Sequence, residues 1–429
     1  MVGLNAKAQR GEGAKNGCPV GVRNSTVTLQ LEKGTTPASG VVRRASRLTV
    51  ALENIPLCSV FSRLSIRREA RRIAAGAAAL LHREMNSAFQ RSYYPAVLLL
   101  ILGTFLISVG ATIAQQPFQF PTANHFLYES NAEDKFFVGT VGKPWESGCF
   151  GCVRTEGWQM HEGLDIRCQQ RDKHNEPTDP IMATADGTVV YINMKPSLSN
   201  YGNYVVIHNR VEGLDIFSLY AHLSAVRSGL KVGQELKAGE VFATMGHTSN
   251  TGEPITKDRA HVHFELNLLA NDHFSAWYKK TLPTERNDHG DWNGMNLLGL
   301  DPRLILLGEH DDPKFSLLNF IRSQTELCRV IVRKMDFSWL KRYPQLVHTN
   351  AVAQKEGIAG YEMALNYNAI PFELIPRAAS EIKGKAKFQL LSVNEPEEKK
   401  NPCRRLVVQR GTRWELAPKG INALELLTE

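Results

Sequence analysis

Four histidines and one aspartate carry the chemistry that this sequence could do. They sit in three short stretches: His161-Glu162-Gly163-Leu164-Asp165, Tyr220-Ala221-His222-Leu223 and His261-Val262-His263. Residues 261–268 read as a strand, so alternate side chains share a face. His261, His263 and Glu265 then point one way, and Val262, Phe264 and Leu266 point the other way, into a core. His161 and Asp165 lie around Gly163, and a turn at that glycine can swing both onto one ion. Two histidines and a carboxylate with an open fourth position describe a catalytic zinc site, whereas a structural site fills all four positions, usually with Cys. Zinc with an open position lowers the pKa of its water to about 7. A remaining histidine can take or give the proton, or stabilise a developing oxyanion. Each stretch alone is a weak signal, since a lone His-x-His on a strand is more often ordinary surface. Their order and spacing together are a strong one.

The elements that must position these residues are β-strands. From about Phe136, short β-prone runs alternate with Gly, Asn and Asp turns. The runs are 187–192, 204–207, 214–220, 240–245 and 261–268, with turns at Ala185-Asp186-Gly187, Tyr201-Gly202-Asn203 and Lys237-Ala238-Gly239. No helix-length periodic segment interrupts them, which points to antiparallel sheets packed as a sandwich or partly closed barrel. Residues 169–179 and 249–259 read as surface loops. Glu265 shares the histidine face and reads as a partner to a histidine or as structural. Trp158, Tyr201 and Tyr204 could line a groove or pack on the sheet. His208 at a strand end and His247 in a turn read as solvated, and His125, His174, His273, His289 and His310 carry no pattern.

The stretch from about Trp158 to Tyr278 resembles the lysostaphin/LytM-type zinc metallopeptidases, which cut peptide bonds in bacterial peptidoglycan. The resemblance is carried by His161-Glu162-Gly163-Leu164-Asp165, Ala183-Thr184-Ala185-Asp186-Gly187-Thr188-Val189, Tyr201-Gly202-Asn203-Tyr204-Val205, Leu219-Tyr220-Ala221-His222-Leu223, Val232-Gly233-Gln234, Ala238-Gly239-Glu240 and His261-Val262-His263-Phe264-Glu265. It implies a mainly β, antiparallel fold of the duplicated hybrid motif type, with the site in a groove floored by the sheet. It also implies Zn2+ held by His161, Asp165 and His263, with His222 and His261 as catalytic histidines that do not bind the metal. The loop Thr251–Arg259 is longer than the short Gly/Ser loop usual in that family.

The flanks frame this domain. The net charge of +8 is uneven: residues 1–84 hold 14 Lys+Arg against 5 Asp+Glu, and the rest holds 37 against 38. The neutral body gives no reason to expect a nucleic-acid partner. Residues 1–84 read as disordered or as an over-extended gene start, with Met85 as the true start. Residues 85–114 read as a signal peptide or membrane anchor. Arg91 precedes an apolar run from Ala96 to Ala114 that ends in small residues. Either way the body is expected outside the cytoplasm, periplasmic or extracellular, touching membrane only through residues 96–114 if these stay uncleaved. Export favours disulfides among Cys149, Cys152, Cys168, Cys328 and Cys403. The expected pair joins Cys149 or Cys152 to Cys168, with Cys328–Cys403 as a second.

Residues 115–135 are expected as a linker, 136–310 as the zinc peptidase domain and 311–429 as a small α+β region. In the last, Phe315–Ser323 and Asp336–Arg342 read as helices, Cys328–Val332 and Arg404–Gln409 as strands, and Asn394–Pro402 as a solvated turn. The sequence thus predicts an exported zinc endopeptidase acting on peptidoglycan peptides. A non-catalytic module that binds wall or activates a separate hydrolase is the alternative.

Overall fold

The computed structural model describes residues 118–252 and 254–429, together with three strands nearer the N-terminus, Leu4–Ala6, Ser25–Leu31 and Arg47–Leu52. Those three pair antiparallel as a sheet of their own, where the sequence suggested no regular element. They belong to a separate unit from the body, which begins at Thr112. The expected signal or anchor segment 85–114 lies outside the described residues. Among the described residues no helix is long and apolar enough to cross a membrane.

The body is built on a seven-stranded antiparallel sheet. Its strands are β1 (Leu164–Arg167), β2 (Gly187–Asn193), β3 (Tyr204–Val211), β4 (Leu214–Ala221), β5 (Glu235–Leu236), β6 (His261–Leu269) and β7 (Leu297–Leu300). The order is β5-β2-β3-β4-β6, and the far edge of β6 is shared end to end: its first half pairs with β1 and its second with β7. Glu212 and Gly213, both at positive φ, join β3 to β4. A two-residue hairpin with that backbone matches the twist of its strands, so the register follows from the turn.

Strand alternation gives the sheet two unlike faces. One carries Val205, Ile207, Ile216, Tyr220, Val262, Phe264, Leu266 and Leu268 into the main core, which also takes Ile181 and Phe242 from a smaller sheet of Pro180–Met182, Val241–Thr244 and Ala225–Val226. Burying one such large side chain contributes roughly 1.5–3 kcal/mol. The other face carries a smaller apolar cluster of Tyr204, Val206, Phe217, Leu219, Ala221, Leu269 and Leu297. His261 and His263 share this face of β6 with Leu269, two residues apart along the strand.

Three expectations about the flanks need correction. Residues 118–135 are no linker: Phe118, Phe120 and Leu127 are buried in the main core. The boundary expected at 310 falls inside the helix Pro302–Asp311, and the core runs on into the C-terminal region. That region forms a four-stranded antiparallel sheet of Cys328–Val332, Gly360–Leu365, Pro371–Arg377 and Phe388–Val393, with helices Leu317–Arg322 and Ser338–Arg342 beside it. It is fastened to the main sheet by polar contacts. The Glu212 carboxylate accepts from the backbone of Leu317 and Leu318, and Tyr343 Oη accepts from Leu269 N at 2.8 Å. Thirdly, Asn394–Pro402 is not a solvated turn but holds the helix Glu395–Lys400. Asn394 caps its first turn and Pro396 pre-sets it, a start signal that the polar composition masked.

Among the described residues the disulfide is Cys152–Cys403, not either of the expected pairs. Cys168 instead donates its thiol to the Asp179 carboxylate, whose other oxygen accepts from Gln169 N, so this thiol closes the base of a surface loop. Cys328 is buried within a strand. Burial pushes the thiols of Cys149, Cys168 and Cys328 up to about 12. The loops 169–179 and 249–259 do lie on the surface, and they brace each other: Arg171 donates to Lys257 O and Asn175 to Asp258.

Candidate metal centre

The register of β6 decides the site. His263 pairs directly with Asp165 of β1 on one side and with Ala221 of β4 on the other. Cross-strand partners have Cβ atoms about 4.5–5.5 Å apart, so Asp165 and His263 meet by pairing alone. His161 comes from the short strand Gln159–His161 that leads into β1. Between them Gly163 lies so close to β6 that a Cβ there would sit 2.3 Å from Phe264 O. A glycine is required for that approach.

The three residues converge. His161 Nε2 lies 3.1 Å from Asp165 Oδ1, His263 Nδ1 lies 3.0 Å from the same oxygen, and the two nitrogens are 3.0 Å apart. Their partners fix the tautomers. His161 Nδ1 donates to Cys149 O at 2.7 Å, since a carbonyl can only accept. His263 Nε2 donates to Glu265 Oε1 at 2.7 Å. Both rings therefore turn a lone pair inward toward a carboxylate oxygen. Three acceptors at this separation require something positive between them. One answer is a second proton on His263: burial opposes it, but hydrogen bonds to Asp165 and Glu265 outweigh burial and lift that ring to about 9. The other is a metal cation, and the donor set of two imidazoles and one carboxylate is of the type that zinc takes at catalytic sites.

The surroundings hold this set in place. Burial works against the Asp165 charge, yet His161, His261 and the Arg154 guanidinium keep its carboxyl well below the usual range. Arg154 donates to Asp165 Oδ2 at 2.6 Å, which leaves Oδ1 facing the two rings. Glu265, fully buried, accepts from His263, from Tyr201 Oη at 2.7 Å and from Asn267. An outer carboxylate that orients a ligating histidine and raises its basicity is a recurring feature of metal sites.

His222 and His261 complete the cluster, with ring centroids 4.8 Å apart. His222 Nδ1 donates to Thr248 O and His261 Nδ1 to Arg259 O, so each keeps a basic Nε2. His261 Nε2 is 3.5 Å from Asp165 Oδ1. Burial pushes both rings down, toward the neutral form. His222 also sits at φ 61°, an uncommon conformation for a non-glycine residue that clusters at functional sites. All five residues line one cavity of about 680 Å³.

The structure thus brings together every residue singled out for the site. Tyr201 and Tyr204 line the cavity, whereas Trp158 is 54% exposed and stacks with Arg405 outside it. His208 lies within a strand, paired with Asp215. His289, read as patternless, is buried on the cavity wall between Tyr191 Oη and Leu198 O. Sequence reasoning missed Arg154 and Arg404, which also line the cavity. Nothing near them in the chain announced it.

Residues 159–274 match Peptidase family M23. Lipoprotein NlpD of Yersinia enterocolitica is 36% identical over 88 residues, covering 20% of this chain and 75% of that protein. Murein hydrolase activator NlpD of Escherichia coli (strain K12) is 41% identical over 87 residues, 20% of this chain and 19% of that protein. The chain spans less than a fifth of the length of most of the curated relatives it matches. Among solved structures, the catalytic domain of the antimicrobial peptidase lysostaphin from Staphylococcus simulans is 22% identical, covering 31% of this chain and 81% of that chain with a TM-score of 0.22. With this match lying across all five site residues, and with a relative covered over most of its length, the chain belongs to peptidase family M23, the LytM-type peptidases.

Proposed function

We propose that the protein is an exported zinc-dependent endopeptidase that hydrolyses peptide bonds in peptidoglycan stem peptides or cross-bridges. The observation that carries this reading is the set of three inward-facing acceptors on His161, Asp165 and His263, with two more histidines opening on the same cavity. In this reading His161, Asp165 and His263 hold the metal. A zinc ion bound there supplies Lewis-acid polarisation and a water acidic enough to act at neutral pH. Neutral His222 and His261 take up and return the proton at Nε2, their Nδ1 atoms being engaged by Thr248 and Arg259 carbonyls. Once protonated, either ring can donate to the oxyanion that develops on the scissile carbonyl. Export is supported by the disulfide Cys152–Cys403, which persists in an oxidising compartment.

A second reading has one observation in its favour: a relative is named a murein hydrolase activator. In it the same cavity binds wall peptide or a partner hydrolase without cutting. The two part on one experiment. His263→Ala should abolish both zinc uptake and digestion of purified peptidoglycan. Wild-type protein that carries zinc yet releases no peptide would favour the activator, and digestion by the variant at the wild-type rate would overturn the site.

A further inference from the structure

The cavity wall is not supplied by the M23 segment alone. Arg404, far beyond it in the chain, lines the same cavity as the histidines. Its Nε donates to Asn368 Oδ1 at 2.6 Å. Asn368 is 1% exposed and in turn donates to Gly299 O on β7 at 2.8 Å, which ties the arginine back to the main sheet. Its neighbour Cys403 is bonded to Cys152, and the hairpin of Cys152 also carries Arg154, the partner of Asp165. The turn Pro402–Arg404 is thus fastened from both sides, and the guanidinium is held at the rim of the site before any ligand arrives.

The remaining contact of Arg404 is a loose one. Its second amino group lies 3.4 Å from Glu162 Oε1, beside His161. A well-made charge-assisted bond is about 2.7–2.9 Å. Other cavity arginines are more tightly held, Arg154 by Asp165 at 2.6 Å and Arg286 by Asp288 at 2.5 Å. A guanidinium has five donors in a planar fork that matches a carboxylate bidentately. Here two are engaged, one of them weakly.

We propose that Arg404 is a specificity-determining residue that reads a carboxylate on the peptide lying in the cavity. The C-terminal region then completes the substrate groove, and the preferred substrate is an anionic peptide with a carboxylate offset from the bond that is cut. The proposal rests on the peptide-binding reading of the cavity and names its substrate class. When the peptide enters, its carboxylate takes the donors that Glu162 holds only loosely.

Calorimetric titration of the zinc-loaded full chain tests it, with a purified muropeptide carrying free carboxylates and the same muropeptide amidated. Turnover is followed in parallel. Wild type is expected to bind the free form roughly 10- to 100-fold tighter, the range of a charge-assisted pair. Arg404→Gln should erase that preference at unchanged zinc content, and Arg404→Lys should keep part of it. A wild-type protein that binds both forms equally, or neither, overturns the proposal without any variant having to fold. So does an Arg404→Gln protein that keeps the full preference. Preferential binding without cleavage supports the subsite while contradicting the hydrolase reading, so the two fail separately.

Discussion

Both faces of strand His261–Leu269 are shut off from solvent, and they are held in opposite ways. On one, Val262, Phe264, Leu266 and Leu268 pack into the main core by shape and volume. On the other, His261, His263, Glu265 and Asn267 are just as buried, but each has a named polar partner. The first face makes the sheet stable, and the second gathers acceptors that a proton on His263 or, in the proposed reading, a metal cation satisfies. Substitutions on the two faces should therefore separate folding from chemistry.

The largest effect belongs to the apolar face. Phe264→Ala should destabilise the protein by about 3–5 kcal/mol in chemical denaturation. Zinc stoichiometry of the molecules that remain folded should not change. Next comes the disulfide, which closes a separation of 251 residues. Replacing both Cys152 and Cys403 with Ser should cost about 2–4 kcal/mol, read as a shift of the denaturation midpoint. An unshifted midpoint would mean that the hairpin bearing Arg154 is held without it.

Glu265→Gln probes the polar face. It keeps the shape but removes the charge that orients His263, and should lower zinc affinity roughly 10- to 100-fold in a competition titration. Equal affinity would reduce Glu265 to packing.

The last effect is one of pH and lies away from the strand. Burial raises the Asp301 carboxyl to about 6, against the pull of the Leu304 and Arg303 amides that it caps. Its folded pKa thus exceeds the unfolded one of about 3.9, so the charged form is disfavoured in the fold. The penalty is absent below about pH 4 and complete above about pH 6, and stability falls as pH rises between them. Asn caps as well as Asp. Asp301→Asn should flatten that pH slope, by up to roughly 3 kcal/mol across the window. An unchanged slope would place the titration elsewhere.

What could be read in the chain follows the same division. The site residues are legible because their placement rests on local rules. His261 and His263 share a face by strand period, and His161 and Asp165 flank the one glycine that lets β1 approach β6. Glu265 is legible for the same reason. Contacts that cross the fold are not. Cys403 and Cys152, Arg404 and Glu162, and Tyr343 and Leu269 lie far apart in the chain and meet only through the packing of the C-terminal region on the main sheet. Phe118 and Phe120 are not legible as core residues, because two aromatics in a short Pro/Gln-rich run show no period, although both enter the core.

The function of the polar face turns on whether a cation completes it. Metal analysis of the purified full chain, with thermal unfolding before and after chelation, tests this most directly. Wild type should carry one zinc per chain. Chelation should remove about 4 kcal/mol of stability if free zinc stood at a thousand times its dissociation constant. His263→Ala should carry none and should unfold alike with and without chelator. A wild-type protein that holds no zinc, or a His263→Ala protein that holds as much as wild type, would contradict it.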